Sequence, residues 1–455
     1  MIVLRIAGFD GLYGQDSYEY LRYANAIQEY VTDGVHPGNY FWPVLYPVLG
    51  GFLGFLFGST AFALQFISCL SFSVACVYIL KTIRLLYPNA QHRFLYVLIF
   101  ATFCPFVLKM GLIVMSDALT LVFVVLAFYF FFKSYQKNTN LAPIFIFATC
   151  ALMTRYASLF ITFPVIVYAL YLVWKRKQFV QLLMAILGSF IVSIPFIIFQ
   201  WGALFEATSN PFLQTWSIRN FFKSSFTTGD GTTRYSFPNL IYTLYVFFHP
   251  GFIFLGSILS VIAIRNYKLL LVFHQKILLI CSGLYILFLA GIPFQNPRII
   301  GLVFPLILIL LFPAFVRLIQ FKYTRQLFIS IGIFFVALQI FFFSITFKQI
   351  FERTRIEKEL ATMIQPYEGK TLYSFDVDLA MKGRGLNFDF KNMFLERYEN
   401  FQRNDLILFD PARYQTQWND KNPMLNWEFI SQNYQLKVLE THSEGWKLYQ
   451  IQSKK

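Results

Sequence analysis

The strongest constraint on this chain is a succession of apolar stretches, at about 61–83, 94–108, 115–132, 179–200, 240–264, 277–292, 298–316 and 326–347, each nearly free of charge. Each comes close to the roughly 20 apolar residues that carry a helix across a bilayer. A soluble fold has no place for so many. Hydrophobic residues are 57% of the 455, charged residues only 13%, and Phe alone occurs 57 times. The mean hydropathy is +0.55. This composition excludes soluble multidomain, disordered, collagen-like and disulfide-stapled classes. The chain reads as a polytopic α-helical membrane protein with about ten membrane helices, short or re-entrant ones included.

Two stretches break the pattern. As one helix rising about 1.5 Å per residue, 141–174 would be about 51 Å long, far more than one crossing. Both its flanks are basic, with Lys133 and Lys137 before it and Lys175, Arg176 and Lys177 after it. An out-and-back pair of short helices turning near Met153–Tyr156 satisfies both facts. The stretch 42–57 is apolar but carries Pro43, Pro47 and three glycines. It reads as an interfacial or re-entrant helix. Met1–Gly8 is too short to span, so either no span precedes the first loop or translation begins upstream of Met1.

Charge sets the orientation. Positions 1–347 hold 22 basic and 8 acidic residues, whereas 348–455 holds 16 and 15. The basic excess therefore belongs to the membrane part and argues for membrane orientation rather than nucleic-acid binding. With Lys81, Arg84 and Arg93 in the cytoplasm, the clusters Lys133/Lys137, Lys175–Lys177, Arg265/Lys268/Lys276 and Arg317/Lys322/Arg325 all fall on the same side. The long segments 1–60, 201–239 and 348–455 then face outward. The expected organisation is an outer first loop with interfacial helices at 1–60, a transmembrane bundle at 61–347, and a small extracytoplasmic α/β domain at 348–455. In that domain Phe351–Ile364 reads as a separate charged helix, and Thr371–Phe375, Asp405–Phe409, Gln435–Glu440 and Trp446–Ile451 as short strands. A Phe- and Lys-rich style points to a bacterium, hence to its cytoplasmic (inner) membrane, with the C-terminal domain on the periplasmic or extracellular side.

The eight acids outside the tail are Asp10, Asp16, Glu19, Glu29, Asp33, Asp117, Glu206 and Asp230, and all fall on the outer side. An ionisable group at a membrane boundary is costly unless solvated or paired, which makes each a functional candidate. Asp16 lies in GLYGQDSYEYLRYA. A helix after Gly14 puts Asp16, Tyr20 and Tyr23 on one face, with Glu19 at i+3 and Arg22 beside Glu19. A carboxylate there can take a proton from a hydroxyl; the competing reading is an acid favoured by a helix N-terminus. Asp117, in MSDAL, reads first as part of a plain N-cap pair with Ser116, and otherwise as an ion-pair partner of Lys109. Arg155 and Arg298 sit at headgroup depth, where guanidinium suits bidentate phosphate contact; the alternative is snorkelling to ordinary lipid. His249, in FFHPG, is a candidate ligand-binding residue or a histidine satisfied by backbone at a helix break. The five cysteines all lie in apolar stretches without metal spacing, so neither a disulfide nor a zinc site is expected.

In order, GxDSYEYLRYA, HPGNYFWPVLYPVLGGFLGFLFG, MSDAL, LMTRYASLFITFPVIV, NPRIIGLVFPLIL and a soluble tail resemble the membrane-embedded C-type (GT-C) glycosyltransferases. That group includes the dolichyl-phosphate-mannose–protein mannosyltransferases and the bacterial lipid A aminoarabinose transferase. The similarity covers about residues 8–320. It implies a polyprenyl-phosphate sugar donor and transfer at the outer face to a lipid, glycan or protein. By the same resemblance Asp16 matches the first-loop catalytic base and Asp117 the second acid. Glu19, Tyr20, Lys109, Arg155, Tyr156, His249 and Arg298 are then the candidates for substrate binding. The outer acids form no tight ligand cluster, so no cofactor is expected, with room left for a divalent metal. Two departures stand out: the family's first span is missing, and there is no adjacent Asp-Glu pair of the eukaryotic protein mannosyltransferases. The competing classes are a lipid-linked sugar transporter, which would show repeats and midplane charges, and a polysaccharide polymerase or ligase, which would show an outer loop rich in Arg and His.

Overall fold

The computed structural model describes residues 1–201, 214–247, 253–320 and 325–455. The chain gathers into two compact units that cut across sequence order. One holds Met1–Gly11, Tyr23–Phe222 and Phe237–Lys348; the other holds Leu12–Arg22, Lys223–Ser236 and Gln349–Lys455.

The first unit is helical. After α1 (Ile2–Ile6), the later part of α2 (Gly14–Asp33) and α3 (Leu45–Phe57) come α4 (Thr60–Leu86), α5 (Arg93–Phe103), α6 (Pro105–Leu112), α7 (Asp117–Lys137), α8 (Ala142–Leu152), α9 (Ser158–Arg176) and α10 (Phe179–Gln200). Helices Phe273–Ala290 and Phe304–Gln320 follow. Among the described residues, seven helices are long and apolar enough to cross a membrane. The apolar stretch at 94–108 is not one straight helix: α5 and α6 are bent by 68° at Cys104. Pro105 starts the second piece, and the residue before a proline is disfavoured in the α region. Cys104 accordingly sits at φ −106°, ψ 90°. The expected pair within 141–174 is present as α8 and α9, with the break at 153–157. The glycines of α3 serve close packing. Gly51 lies so near α2 that a Cβ there would stand 2.8 Å from the Ala24 carbonyl oxygen. Of the stretch expected at 240–264, the structure describes Asn239–Leu244, Tyr245–Phe247 and Ile253–Arg265.

The second unit contains the hairpin β1 (Ser225–Thr228) and β2 (Gly231–Arg234) and a five-stranded sheet. The sheet runs β4 (Asp389–Asn392), β3 (Thr371–Ser374), β5 (Leu406–Phe409), β7 (Lys447–Lys454), β6 (Tyr434–Thr441). Strands β3, β4 and β5 are parallel, and β7 runs antiparallel to β5 and β6. All four residues of the central β5 are buried, as a strand covered on both faces requires. The four strands expected here are present and β4 is additional. One expectation fails: 326–347 and Phe351–Ile364 are not separate helices but one, Arg325–Ile364, of 40 residues. Hydropathy changes along it near Lys348 while no helix-breaking residue intervenes, because Lys, Glu and Arg propagate a helix as well as apolar residues do.

Candidate active site

Asp117 opens α7 and is completely buried. It is not part of a cap, since Ser116 makes no side-chain hydrogen bond to the helix end. Its carboxylate is instead shared by two guanidinium groups. Arg155 Nη1 meets Oδ1, and Arg298 Nε lies 3.2 Å from Oδ2. A buried carboxylate persists only when paired in this way. Its partners arrive from distant parts of the sequence. Arg155 stands in the break between α8 and α9, where its amide donates to Ala151 O at 2.8 Å. Arg298 lies in the first turn after Pro297, where the Asn296 side chain accepts from its amide at 3.0 Å. Arg298 also reaches Met115 Sδ at 2.8 Å, two residues before Asp117. Tyr285, fully buried, donates to Ile299 O at 2.8 Å and pins the segment that carries Arg298. Lys109, on α6, is close enough to Arg298 for their like charges to act on each other. These four residues are one acid and three bases. Arg155 and Arg298 keep 13% and 21% of their side chains exposed, so the positive side is open while the negative side is sealed. Tyr156, next to Arg155, is held neutral, since burial pushes its phenol up to about 12.

Asp16 belongs to the other unit. Gly14 starts α2 with φ +67°, a conformation that suits glycine. Asp16 is half-buried in the helix's first turn, where the dipole favours an acid. Glu19 and Arg22 form the expected pair, with Nη2 to Oε1 at 2.6 Å. Glu19 is thus engaged by its own helix. Tyr20 is buried, only 3% exposed. Another of the eight outer acids lies nearby: Asp230, in the turn of the β1–β2 hairpin. Burial, and then the charge of Asp16, push its carboxyl above the ordinary value, with Lys421 acting the other way. Its backbone carbonyl accepts from Gln417 Nε2 at 2.8 Å. The acidic turn sequence TTGDGTT was the available signal. His249 and Glu206 lie outside the described residues. Among the described residues, no three His, Cys, Asp or Glu side chains converge as metal ligands.

The fold that carries these groups is that of a membrane-embedded C-type glycosyltransferase. It resembles ArnT from Cupriavidus metallidurans bound to undecaprenyl phosphate with a TM-score of 0.59, over 98% of this chain and 96% of that one, at 12% identity. It resembles ArnT from the same organism in the apo state at 0.58, over 96% and 93%, at 11% identity. A family model, dolichyl-phosphate-mannose-protein mannosyltransferase, matches residues 42–201. That range includes Lys109, Asp117, Arg155 and Tyr156, and leaves out Asp16 and Arg298. No curated protein matches the chain. The likeness to ArnT bears on the fold, and the family model covers about a third of the chain. The protein is integral to the membrane and multi-pass.

Proposed function

We propose that the protein transfers a sugar from a polyprenyl-phosphate carrier to a hydroxyl of a lipid, glycan or protein, at the outer face of a bacterial cytoplasmic membrane. The observation that carries this reading is the gathering of Arg155 and Arg298, both still partly exposed, around the buried Asp117. A leaving lipid phosphate gains negative charge as the sugar departs, and preorganised cations aimed at that charge lower the barrier. Arg155, Arg298 and Lys109 supply them. Asp117 holds both guanidinium groups in place and offsets the repulsion between them. The ArnT structure with undecaprenyl phosphate supports a carrier of this chemistry.

Asp16 is the base in this reading. The acceptor hydroxyl gives its proton to the Asp16 carboxylate as its oxygen bonds to the anomeric carbon. The bond from that carbon to the phosphate oxygen breaks, and its electron pair leaves with the phosphate. No general acid is needed for so stable a leaving group. Attack from the face opposite the phosphate inverts the anomeric centre. Positive-inside loops support an outer-face site and an extracytoplasmic 348–455 domain.

The test is the purified protein with a synthetic polyprenyl-phosphate sugar. It should release polyprenyl phosphate, and Asp16→Asn should lower the rate about 10²–10⁴-fold while the protein melts at the same temperature. Undiminished turnover by Asp16→Asn would remove the assigned base. Movement of the intact lipid-linked sugar across vesicles, without cleavage, would make the protein a transporter.

A further inference from the structure

The unit that contains the C-terminal sheet also contains Leu12–Arg22, and its contacts with that segment are specific. The residue before Asp16 and the second residue after it are both gripped. Gln15 Nε2 donates to Asp378 Oδ1 at 2.8 Å. The other oxygen of Asp378 accepts from Asn392 Nδ2 at 2.7 Å. Tyr18, 1% exposed, donates its hydroxyl to Glu357 Oε2 at 2.7 Å. Glu357 has no exposed side-chain surface and is fixed by Arg353 Nε at 2.6 Å and by Arg384 Nη2 at 3.5 Å. Arg353 is fixed in turn by Asp376, whose carboxylate it meets at 2.9 Å and whose carbonyl it meets at 2.7 Å. The Arg384 guanidinium lies 5.6 Å from the centre of the Tyr18 ring. Gly383 lies against the same ring: a Cβ there would stand 2.6 Å from Tyr18 Cδ1. Thr354 Oγ1 closes the set on Leu12 O at 3.4 Å.

A buried tyrosine hydroxyl aimed at a buried carboxylate is a costly arrangement for a simple tether. Apolar packing would hold the two parts together as well, without the penalty of an ionised group in the interior. What the polar contacts add is direction. They fix the rotation of the first turn of α2 about its axis, and so the direction in which the Asp16 side chain leaves the helix.

We propose that Glu357 and Asp378 of the C-terminal domain are positioning residues, which hold the first turn of α2 through Tyr18 and Gln15 so that Asp16 stays in its working orientation. This rests on the reading of Asp16 as the base. A displacement of about 1 Å in a reacting group, caused from outside the chemistry, can cost about 100-fold in rate. The C-terminal domain is then a part of the catalyst rather than an appendage.

The test uses the full-length protein in lipid nanodiscs with the synthetic polyprenyl-phosphate sugar. Its variants are Tyr18→Phe, Asp378→Asn and Gly383→Val, the last of which pushes the Tyr18 ring without touching any polar group. Two quantities are read: kcat and KM for the donor, and amide hydrogen exchange in residues 12–22. The expected result is a fall in kcat of about 10–100-fold with KM within twofold, together with faster exchange in that segment. A structural role alone would lower the amount of folded enzyme and leave kcat per folded molecule intact; unchanged kcat in all three variants, with Asp16→Asn inactive, overturns the proposal. If Asp16→Asn is itself fully active, the base assignment has failed, and unchanged exchange in 12–22 would then overturn the positioning contacts on their own account.

Discussion

Two buried carboxylates in this protein are each held by two arginines, and they do opposite things. Glu357 lies between Arg353 and Arg384, with Asp376 completing the group. Two acids and two bases leave no net charge, and Arg353 stands at i,i+4 from Glu357 on one helix. Asp117 lies between Arg155 and Arg298, with Lys109 adding a third cation. Its partners come from separate elements. A balanced cluster needs nothing more, so it is a fastening. The one around Asp117 keeps its arginines partly exposed, where an anion can reach them. The difference is not one of geometry, since in both clusters each carboxylate oxygen faces one arginine; it lies in the balance of acids and bases.

The largest expected effect comes from removing either acid. Asp117→Leu and Glu357→Leu each remove a buried carboxylate that two mostly buried arginines share, and each should cost about 3–5 kcal/mol of stability. Thermal unfolding in detergent measures this. Polyprenyl phosphate should then raise the melting temperature of both variants, and that of Asp117→Leu by more, since Glu357→Leu keeps its anion site as it was. Equal behaviour of the two with phosphate would erase the distinction. Next in size is a conservative change. Arg298→Lys keeps the charge but loses the planar fork, and should lower turnover about tenfold; Arg384→Lys in the balanced cluster should keep donor KM unchanged.

A smaller effect tests the acidic turn. The carboxyl of Asp230 is raised by burial and by Asp16. A raised carboxyl binds its proton more tightly when folded than when unfolded, so between the ordinary Asp value and the folded one stability falls as pH rises. Asp230→Asn removes that loss. It should melt slightly higher than the unaltered protein at neutral pH, with the gain gone below the ordinary Asp range. A gain that persisted there would mean that charge is not the cause. The smallest effect is expected at the surface, where Arg355 meets Glu359 and Glu444 at 3.3 and 3.2 Å. Such exposed pairs add little, and Arg355→Gln should leave melting and turnover where they were.

The sequence carried the bundle well because apolar runs and basic flanks are local signals. The break of 141–174 near Met153–Tyr156 could be read from length and charge alone, and Arg155 with it. The partners of Asp117 could not. Arg155 and Arg298 lie far from it along the chain, and an ion pair between distant segments leaves no periodic trace, whereas Lys109 and Ser116 were simply near in sequence. Arg325–Ile364 was divided in two because hydropathy reports environment, not backbone. Strand β4, with the sequence DFKN, is too short and too polar to alternate visibly. The grip on Gln15 and Tyr18 was hidden for the same reason as the Asp117 cluster: Asp378 and Glu357 lie more than 300 residues away.

Anion binding at the cluster around Asp117 is what the other predictions rest on. Its most direct test is the affinity of polyprenyl phosphate, measured by titration in nanodiscs, for the unaltered protein, Arg298→Gln and Arg384→Gln. The prediction is a loss of about tenfold or more for Arg298→Gln, the worth of a charge-assisted contact, and no change for Arg384→Gln. Equal affinity in all three would contradict it.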